Sequence, residues 1–387
     1  MIKRKKRKIC IVISARPSYA RVKSVLREIK KNKNLELILI LTASSLLDRY
    51  GNLIEVINKD GFKVNYKVHM LVEGGNLLTS AKSTGLSIIE LSSLFDRINP
   101  DIVLTVADRY ETIATAISAS YTNIPVGHIQ GGEITGSIDE KVRHAVTKLS
   151  DLHFASNSIA AKRLLKLGED PKKVFVTGCP SIDLVKEIIK SKKEINKSFI
   201  SKGVGQNINT SDNFMVVMQH PVTYEWKNTA KQIKATLNAI KKINIPVFWF
   251  WPNVDAGVDE ASKAIRSFRE NNNNLKIKFL KNMPPEDFLT LINKSLCLIG
   301  NSSVGIRESS YLGVPVVNIG TRQTGRDRGR NVIDCDYNSL EIEKAIKRQI
   351  KHGKYKKNTL YGKGESGKYI SKTLTTCDLP TVKKSFL

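Results

Sequence analysis

Short apolar runs rich in β-branched residues alternate with amphipathic stretches of helical spacing along nearly all of this 387-residue chain, and that alternation sets the strongest limit on its fold. In a first series, strands are expected at 9–14, 35–42, 64–68, 101–106, 124–129 and 174–177, with helices over 19–33, 46–60, 86–98, 110–121 and 137–149. Strands separated by helices cannot pair as hairpins, so they imply a parallel sheet with helices on both faces. A second series follows: strands 214–219, 246–251, 276–280, 296–299 and 314–318, and helices 225–243, 258–271, 285–295, 304–312 and 339–350. The chain is long for one hydrophobic core, so each series is expected to build its own doubly wound α/β domain. The handover falls in the polar, lysine-rich stretch 182–202 and the loop-like stretch 203–213. The first domain is therefore expected over 1–184 and the second over 185–365, with a helical tail of about 366–387 packing back on the first. Such sheets take ligands at the carboxyl ends of their strands, which places the expected site in a cleft between the two.

Composition narrows the class. With 41% apolar and 26% charged residues the chain can fill two cores, and no apolar run approaches the ~20 residues that span a bilayer. The basic run 3–8 before the apolar run 9–13 faintly imitates a signal peptide, but SARP follows where a cleavage site should stand. It reads as a basic tail on a first strand; a cytoplasmic protein without a membrane partner is expected. Cys10, Cys179, Cys297, Cys335 and Cys377 are widely spaced and form no CxxC pair, which argues against a disulfide framework or a zinc site. The net charge of +27 comes from 63 Lys and Arg against 36 Asp and Glu. The excess is lysine spread without aromatic interleaving, which describes a solvated surface better than a nucleic-acid partner.

The informative motifs all fall at expected carboxyl ends of strands. SARPSY (14–19) offers Arg16 beside a helix N-terminus, a combination that suits phosphate. VADRYE (106–111) supplies Asp108 and Arg109, either a functional pair or an ion pair at the start of a helix. HIQGGEITGSIDEKVRH (128–144) reads as a strand end, a glycine-rich turn and a helix opened by a Ser137/Glu140 capping box. Such a turn gathers His128, Gln130, Glu133 and Asp139 near one point, although a well-capped helix on an ordinary turn would look the same. QHPVT (219–223) ends a strand at His220, and WPNVDAG (251–257) offers Asn253 to a base or ribose. In GNSSVGIRE (300–308), amides and hydroxyls at Ser302 and Ser303 can gather round a diphosphate, with Glu308 a turn later able to accept ribose hydroxyls. GTRQTGR (320–326) adds a basic loop containing Arg322. Neither a Walker loop nor a GxGxxG fingerprint is present.

Taken as an ordered set, ADR (107–109), HIQGGEITGSID (128–139), RHAVTKL (143–149), QHPVT, PNVDAG, GNSS and GTRQ resemble the hydrolysing UDP-N-acetylglucosamine 2-epimerases. That group includes bacterial sialic-acid-pathway enzymes and the epimerase half of the animal bifunctional epimerase/kinase. The resemblance spans nearly the whole chain. It implies two Rossmann-like domains facing across a cleft, as in GT-B glycosyltransferases, with a UDP-sugar substrate and a homo-oligomeric dimer or tetramer. It also implies the reaction: UDP-N-acetylglucosamine and water give UDP and N-acetylmannosamine through a 2-acetamidoglucal, with no metal and no cofactor.

By position, Arg16, Arg109, His220, Asn253, Ser302, Ser303, Glu308 and Arg322 match UDP-binding residues. Asp108 and Asp139 match acid/base carboxylates, with His128 beside them. Relatives often carry Glu where this chain has Gln130, and an amide cannot exchange a proton in that role. The work then falls to Asp108, Asp139 or Glu133, or turnover is weakened. Ala107 stands where many relatives have Gly, and Ser18-Tyr19-Ala20 where some have Asp-Tyr-Ser. The nearest rival substrate is a UDP-2,4-diacetamido-2,4,6-trideoxyhexose. A non-hydrolysing epimerase, an impaired UDP-sugar binder and a polynucleotide binder are the further alternatives.

Overall fold

A computed structural model describes residues 6–47, 52–74, 76–107, 109–136, 138–252, 257–281 and 283–379. The chain divides into two compact units, one of Met1–Glu133, Ile138–Lys186 and Tyr361–Leu387, the other of Ile134–Ser137 and Glu187–Leu360.

In chain order the first unit runs β1 (Arg7–Ile13), α1 (Arg16–Lys31), β2 (Leu35–Thr42), α2 (Leu53–Lys59), β3 (Tyr66–Val68), α3 (Leu77–Ile98), β4 (Ile102–Val106) and α4 (Thr112–Tyr121). It continues through β5 (Val126–Ile129), α5 (Asp139–Leu149), β6 (Leu152–Ala155), α6 (Ser158–Lys166), β7 (Val174–Val176) and α7 (Pro180–Ser191). All neighbouring strands pair in parallel, in the order β3-β2-β1-β4-β5-β6-β7. Ile9, Ile11 and Ile13 face one side with Val22, Val25, Leu26 and Ile29 of α1, while Cys10 and Val12 face the other with Leu91, Leu94 and Phe95 of α3. Each such side chain contributes about 1.5–3 kcal/mol on burial, which is why β1 is apolar on both faces.

The second unit contains α8 (Lys197–Ser201), β8 (Val204–Gly205), β9 (Met215–Met218), α9 (Thr229–Ile243), β10 (Val247–Phe250), α10 (Val258–Glu270), β11 (Ile277–Leu280) and α11 (Pro285–Lys294). After these come β12 (Leu298–Gly300), α12 (Ser303–Ile306), α13 (Glu308–Leu312), β13 (Val316–Ile319), β14 (Val332–Cys335) and α14 (Ser339–His352). Its sheet runs β14-β13-β12-β9-β10-β11-β8, parallel except for the short edge strand β8. The last helix, α15 (Ser366–Thr376), belongs to the first unit. Asp183 of α7 caps it, accepting from the amides of Ser366 at 2.9 Å and Gly367 at 2.8 Å, and Ile370 and Leu374 join the core around α1. Gly367 lies against the Ser24 backbone, where a Cβ would come within 2.7 Å.

The α/β class and the alternation are as expected from the residues, but several elements differ. β6 and α6 occupy residues that the sequence reading left unassigned, as does the edge strand β14. The stretch 182–202 is not merely polar: Ile182, Leu184, Val185 and Ile188 of α7 are buried. The single helix expected over 304–312 is broken at Arg307 into α12 and α13. Ser137 of the capping box lies outside the described residues, and Glu140 pairs with Arg143 and with His144.

Candidate active site

In doubly wound sheets the ligand crevice opens where strand order reverses, because the loops on either side turn opposite ways. The first unit reverses between β1 and β4, and the second between β9 and β12. Each carries candidate residues at that point.

In the first unit, β1 leads through Ser14 and Ala15 into Arg16, the opening residue of α1. The guanidinium is half-buried and its Nε has no hydrogen-bond partner. Burial lowers its pKa, because removal from water disfavours the charged form. At the end of β4, Ala107 adopts φ +65°, donates to Ile129 O at 3.0 Å and accepts from Nε2 of His128 at 3.0 Å. Asp108 lies outside the described residues. Arg109 makes an ion pair before α4 with the buried carboxylate of Glu111, through Nε and Nη2 at 3.2 Å each.

The end of β5 builds the neighbouring part. His128 is fully buried, with Nδ1 3.4 Å from the Thr147 hydroxyl. Gln130 takes φ +70°, and its amide donates to the Cys179 thiol at 2.9 Å, which in turn lies 3.0 Å from the Ser181 hydroxyl. Gly132 has φ +75°, and a Cβ there would meet Ala160 O at 2.3 Å, so the turn requires glycine. Glu133 is buried beside it, and its carbonyl accepts from Arg143 at 2.7 Å. Asp139 opens α5, where the helix amides favour a negative charge. Because β1, β4 and β5 are adjacent, Arg16, Arg109, His128, Gln130 and Glu133 share one edge of the sheet.

In the second unit, β9 and β12 pair as far as Met218 and Gly300. Gly300 turns the chain at φ +125°, where a Cβ would come within 2.1 Å of Met218 O. Beyond it Asn301 accepts from His220 N at 2.8 Å and donates to His220 O at 2.8 Å. Its own carbonyl accepts from Arg322 at 3.3 Å and Gln323 at 2.9 Å. Ser302 and Ser303 follow at once, both part-exposed, and Arg307 donates to Ser303 Oγ at 2.9 Å. Glu308 is buried, and its Oε2 makes no hydrogen bond but lies 3.8 Å from Arg307 Nε as an ion pair. His220, Ser302, Ser303 and Arg322 are thus brought together round Asn301. Asn253 lies outside the described residues; Trp251 beside it packs on Phe279, with ring centroids 6.1 Å apart.

Sequence reasoning missed Asn301, Gln323, Cys179 and the pair Glu225 and Tyr337. Glu225 accepts from the Thr321 hydroxyl. Burial, and then the charge of Glu225, push the Tyr337 phenol up, while Gly320 passes so close to its ring that a Cβ would lie 2.2 Å from it. Among the described residues no group of His, Cys, Asp and Glu is arranged to hold a metal ion, and no helix is long and apolar enough to cross a membrane.

The family model described as UDP-N-acetylglucosamine 2-epimerase matches residues 27–375. The chain is 34% identical to the GDP/UDP-N,N'-diacetylbacillosamine 2-epimerase (hydrolyzing) of Campylobacter jejuni, covering 89% of each chain. It is 29% identical to the UDP-N,N'-diacetylbacillosamine 2-epimerase (hydrolyzing) of Legionella pneumophila, over 96% of this chain and 97% of that one. Among solved structures, the UDP-GlcNAc 2-epimerase of Neisseria meningitidis bound to UDP-GlcNAc superposes with a TM-score of 0.78 at 20% identity, covering 95% of this chain and 99% of that one. At that identity the likeness concerns the fold, two sheets of the GT-B-like kind.

Proposed function

This chain belongs to the UDP-N-acetylglucosamine 2-epimerase family, and from that premise we propose that it is a hydrolysing 2-epimerase of UDP-linked 2-acetamido sugars. The observation that carries the reading is the cluster at the second switch point. The turn at Gly300 and the hydrogen bonds of Asn301 to His220 and Arg322 bring those residues close to Ser302 and Ser303, a set whose donors would suit a diphosphate. UDP is a leaving group, and catalysis needs most of its electrostatic support where negative charge develops.

The chemistry balances without a redox step. A base removes the C2 proton while the C1–O bond to UDP breaks, and UDP leaves with the bonding pair, giving a C1–C2 double bond. Water then adds, its oxygen to C1 and a proton to C2 on the opposite face. The products are UDP and the free C2-epimeric sugar. Asp108, Asp139 and Glu133 are the proposed proton carriers. Gln130 is not one, since an amide neither supplies nor accepts the proton; its bond to Cys179 suits packing of the turn instead. His128 is proposed to hold Ala107 rather than to exchange protons. His220, Ser302 and Ser303 are proposed to bind the diphosphate and Glu308 the ribose, with Arg16, Arg109, Asn253 and Arg322 as further proposed UDP-binding residues.

For the sugar, the relatives named for N,N'-diacetylbacillosamine, at 34% and 29% identity, favour the 2,4-diacetamido-2,4,6-trideoxy substrate. UDP-N-acetylglucosamine is the second reading, supported by a Neisseria meningitidis relative named for it at 28% identity. Incubation with each nucleotide sugar, followed by anion-exchange chromatography, tests the proposal. Free UDP should accumulate in proportion to sugar consumed, fastest with the diacetamido substrate. A UDP-linked epimer would mean a non-hydrolysing enzyme, and an unchanged substrate that still binds would mean a binder.

A further inference from the structure

We infer that Asn301 is a positioning residue for the nucleotide end of the site, setting His220 through its backbone so that imidazole, serine hydroxyls and Arg322 meet one diphosphate. The inference rests on the functional reading above. An amide side chain fully removed from water costs about 1–3 kcal/mol unless its donors and acceptor are matched. Asn301 matches them across the crevice rather than within its own loop: Oδ1 accepts from His220 N, and Nδ2 donates to His220 O, both at 2.8 Å.

The reason lies in the register. The β9–β12 ladder ends at Met218 and Gly300, because φ +125° at Gly300 turns the chain out of strand geometry. The Asn301 side chain then supplies the missing peptide rung, presenting to His220 the donor and acceptor that a strand neighbour would have presented. Pro221 follows His220 and has no amide hydrogen to offer in its place. On the other side, the Asn301 carbonyl accepts from Arg322 at 3.3 Å and from Gln323 at 2.9 Å. The loops after β9, β12 and β13 therefore share one residue.

The neutral amide matters. An aspartate of the same shape can still accept from His220 N, but it has no proton for His220 O and adds a negative charge beside the diphosphate. N301D is thus the sharpest variant. UDP affinity is measured by calorimetry for wild type, N301D, H220A and the double variant. Each single change should weaken UDP about 10–100-fold, the size of losing a hydrogen bond to a charged group. If Asn301 acts through His220, N301D should weaken UDP binding less in the H220A background than in wild type, since coupled residues do not add. Losses that multiply in the double variant, or wild-type affinity in N301D, would overturn the inference while leaving the functional reading intact. A wild-type protein that takes up no UDP would overturn both. N301S serves as a second variant if N301D is unfolded by circular dichroism. Failure of both to fold would make Asn301 a determinant of the fold and overturn its positioning role.

Discussion

His128 and Ala107 are joined across neighbouring strands: the buried imidazole donates from Nε2 to the Ala107 carbonyl at 3.0 Å, while Ala107 is held at φ +65°. A carbonyl can only accept, so Nε2 carries a proton, and Nδ1 lies 3.4 Å from the Thr147 hydroxyl. A left-handed alanine costs about 1–2 kcal/mol, and this bond helps maintain it one residue before Asp108. Replacement by alanine, H128A, leaves a buried carbonyl unmatched and a cavity behind. Folding stability should fall by about 2–4 kcal/mol in urea titration, and kcat should fall further than UDP affinity. An unchanged urea midpoint would show that the ring supports nothing.

Asp139 opens α5, a turn after the glycine-rich loop that carries Glu133. Asparagine keeps its shape and its hydrogen-bonding oxygen but cannot exchange a proton. D139N should lower kcat by about 100-fold or more, within the range expected for a general acid or base, and leave UDP affinity within a few-fold of wild type. Equal losses in both would assign Asp139 to binding.

Gly300 is required by geometry on two counts, its φ of +125° and the 2.1 Å approach that a Cβ would make to Met218 O. G300A should cost about 2–4 kcal/mol in urea titration, combining backbone strain with overpacking. UDP affinity should fall with it, because the same turn aims Asn301 and Ser302. Wild-type stability in this variant would mean the turn adapts and the strain argument fails.

The strands that position the site were legible in the residues because the central ones are buried on both faces and read as continuous apolar runs, as in VFWF at 247–250. β6 was not, since Leu152–Ala155 is short and only Ser150 and Asp151 separate it from α5. β14 alternates weakly at the sheet edge, with Asp334 exposed. In α7 the lysines at 186 and 190 mask an apolar stripe. At the site, the motif glycines and serines announced themselves by type and place. Asn301 did not, because its value lies in a partner 81 residues away that only the β9–β12 pairing reveals. The buried carboxylate of Glu111 pairs with Arg109, a partner that the motif itself does not single out.

The thiols offer a check on the cores. Burial pushes Cys10 and Cys297 far up, and Cys335 to about 12, the latter also raised by Glu341, Asp334 and Asp336. Only thiolate attacks Ellman's reagent, and at pH 8 these groups are protonated in the folded protein. Labelling of Cys10, Cys297 and Cys335 should therefore be slow at pH 8, with Cys335 speeding up only as pH climbs toward 12. In guanidinium all five cysteines should react at once. Rapid native labelling of Cys10 or Cys297, mapped by mass spectrometry, would mean that β1 or the strand region before β12 is not packed as described.

The most direct measurement is proton NMR of each UDP-sugar with the enzyme in deuterated water. Hydrolytic 2-epimerisation requires the C2 proton to be lost and replaced from solvent while UDP departs. The expected spectrum shows free UDP together with a reducing sugar of inverted C2 configuration, fully deuterated at that carbon. UDP released with the C2 proton and its configuration retained would contradict the account outright.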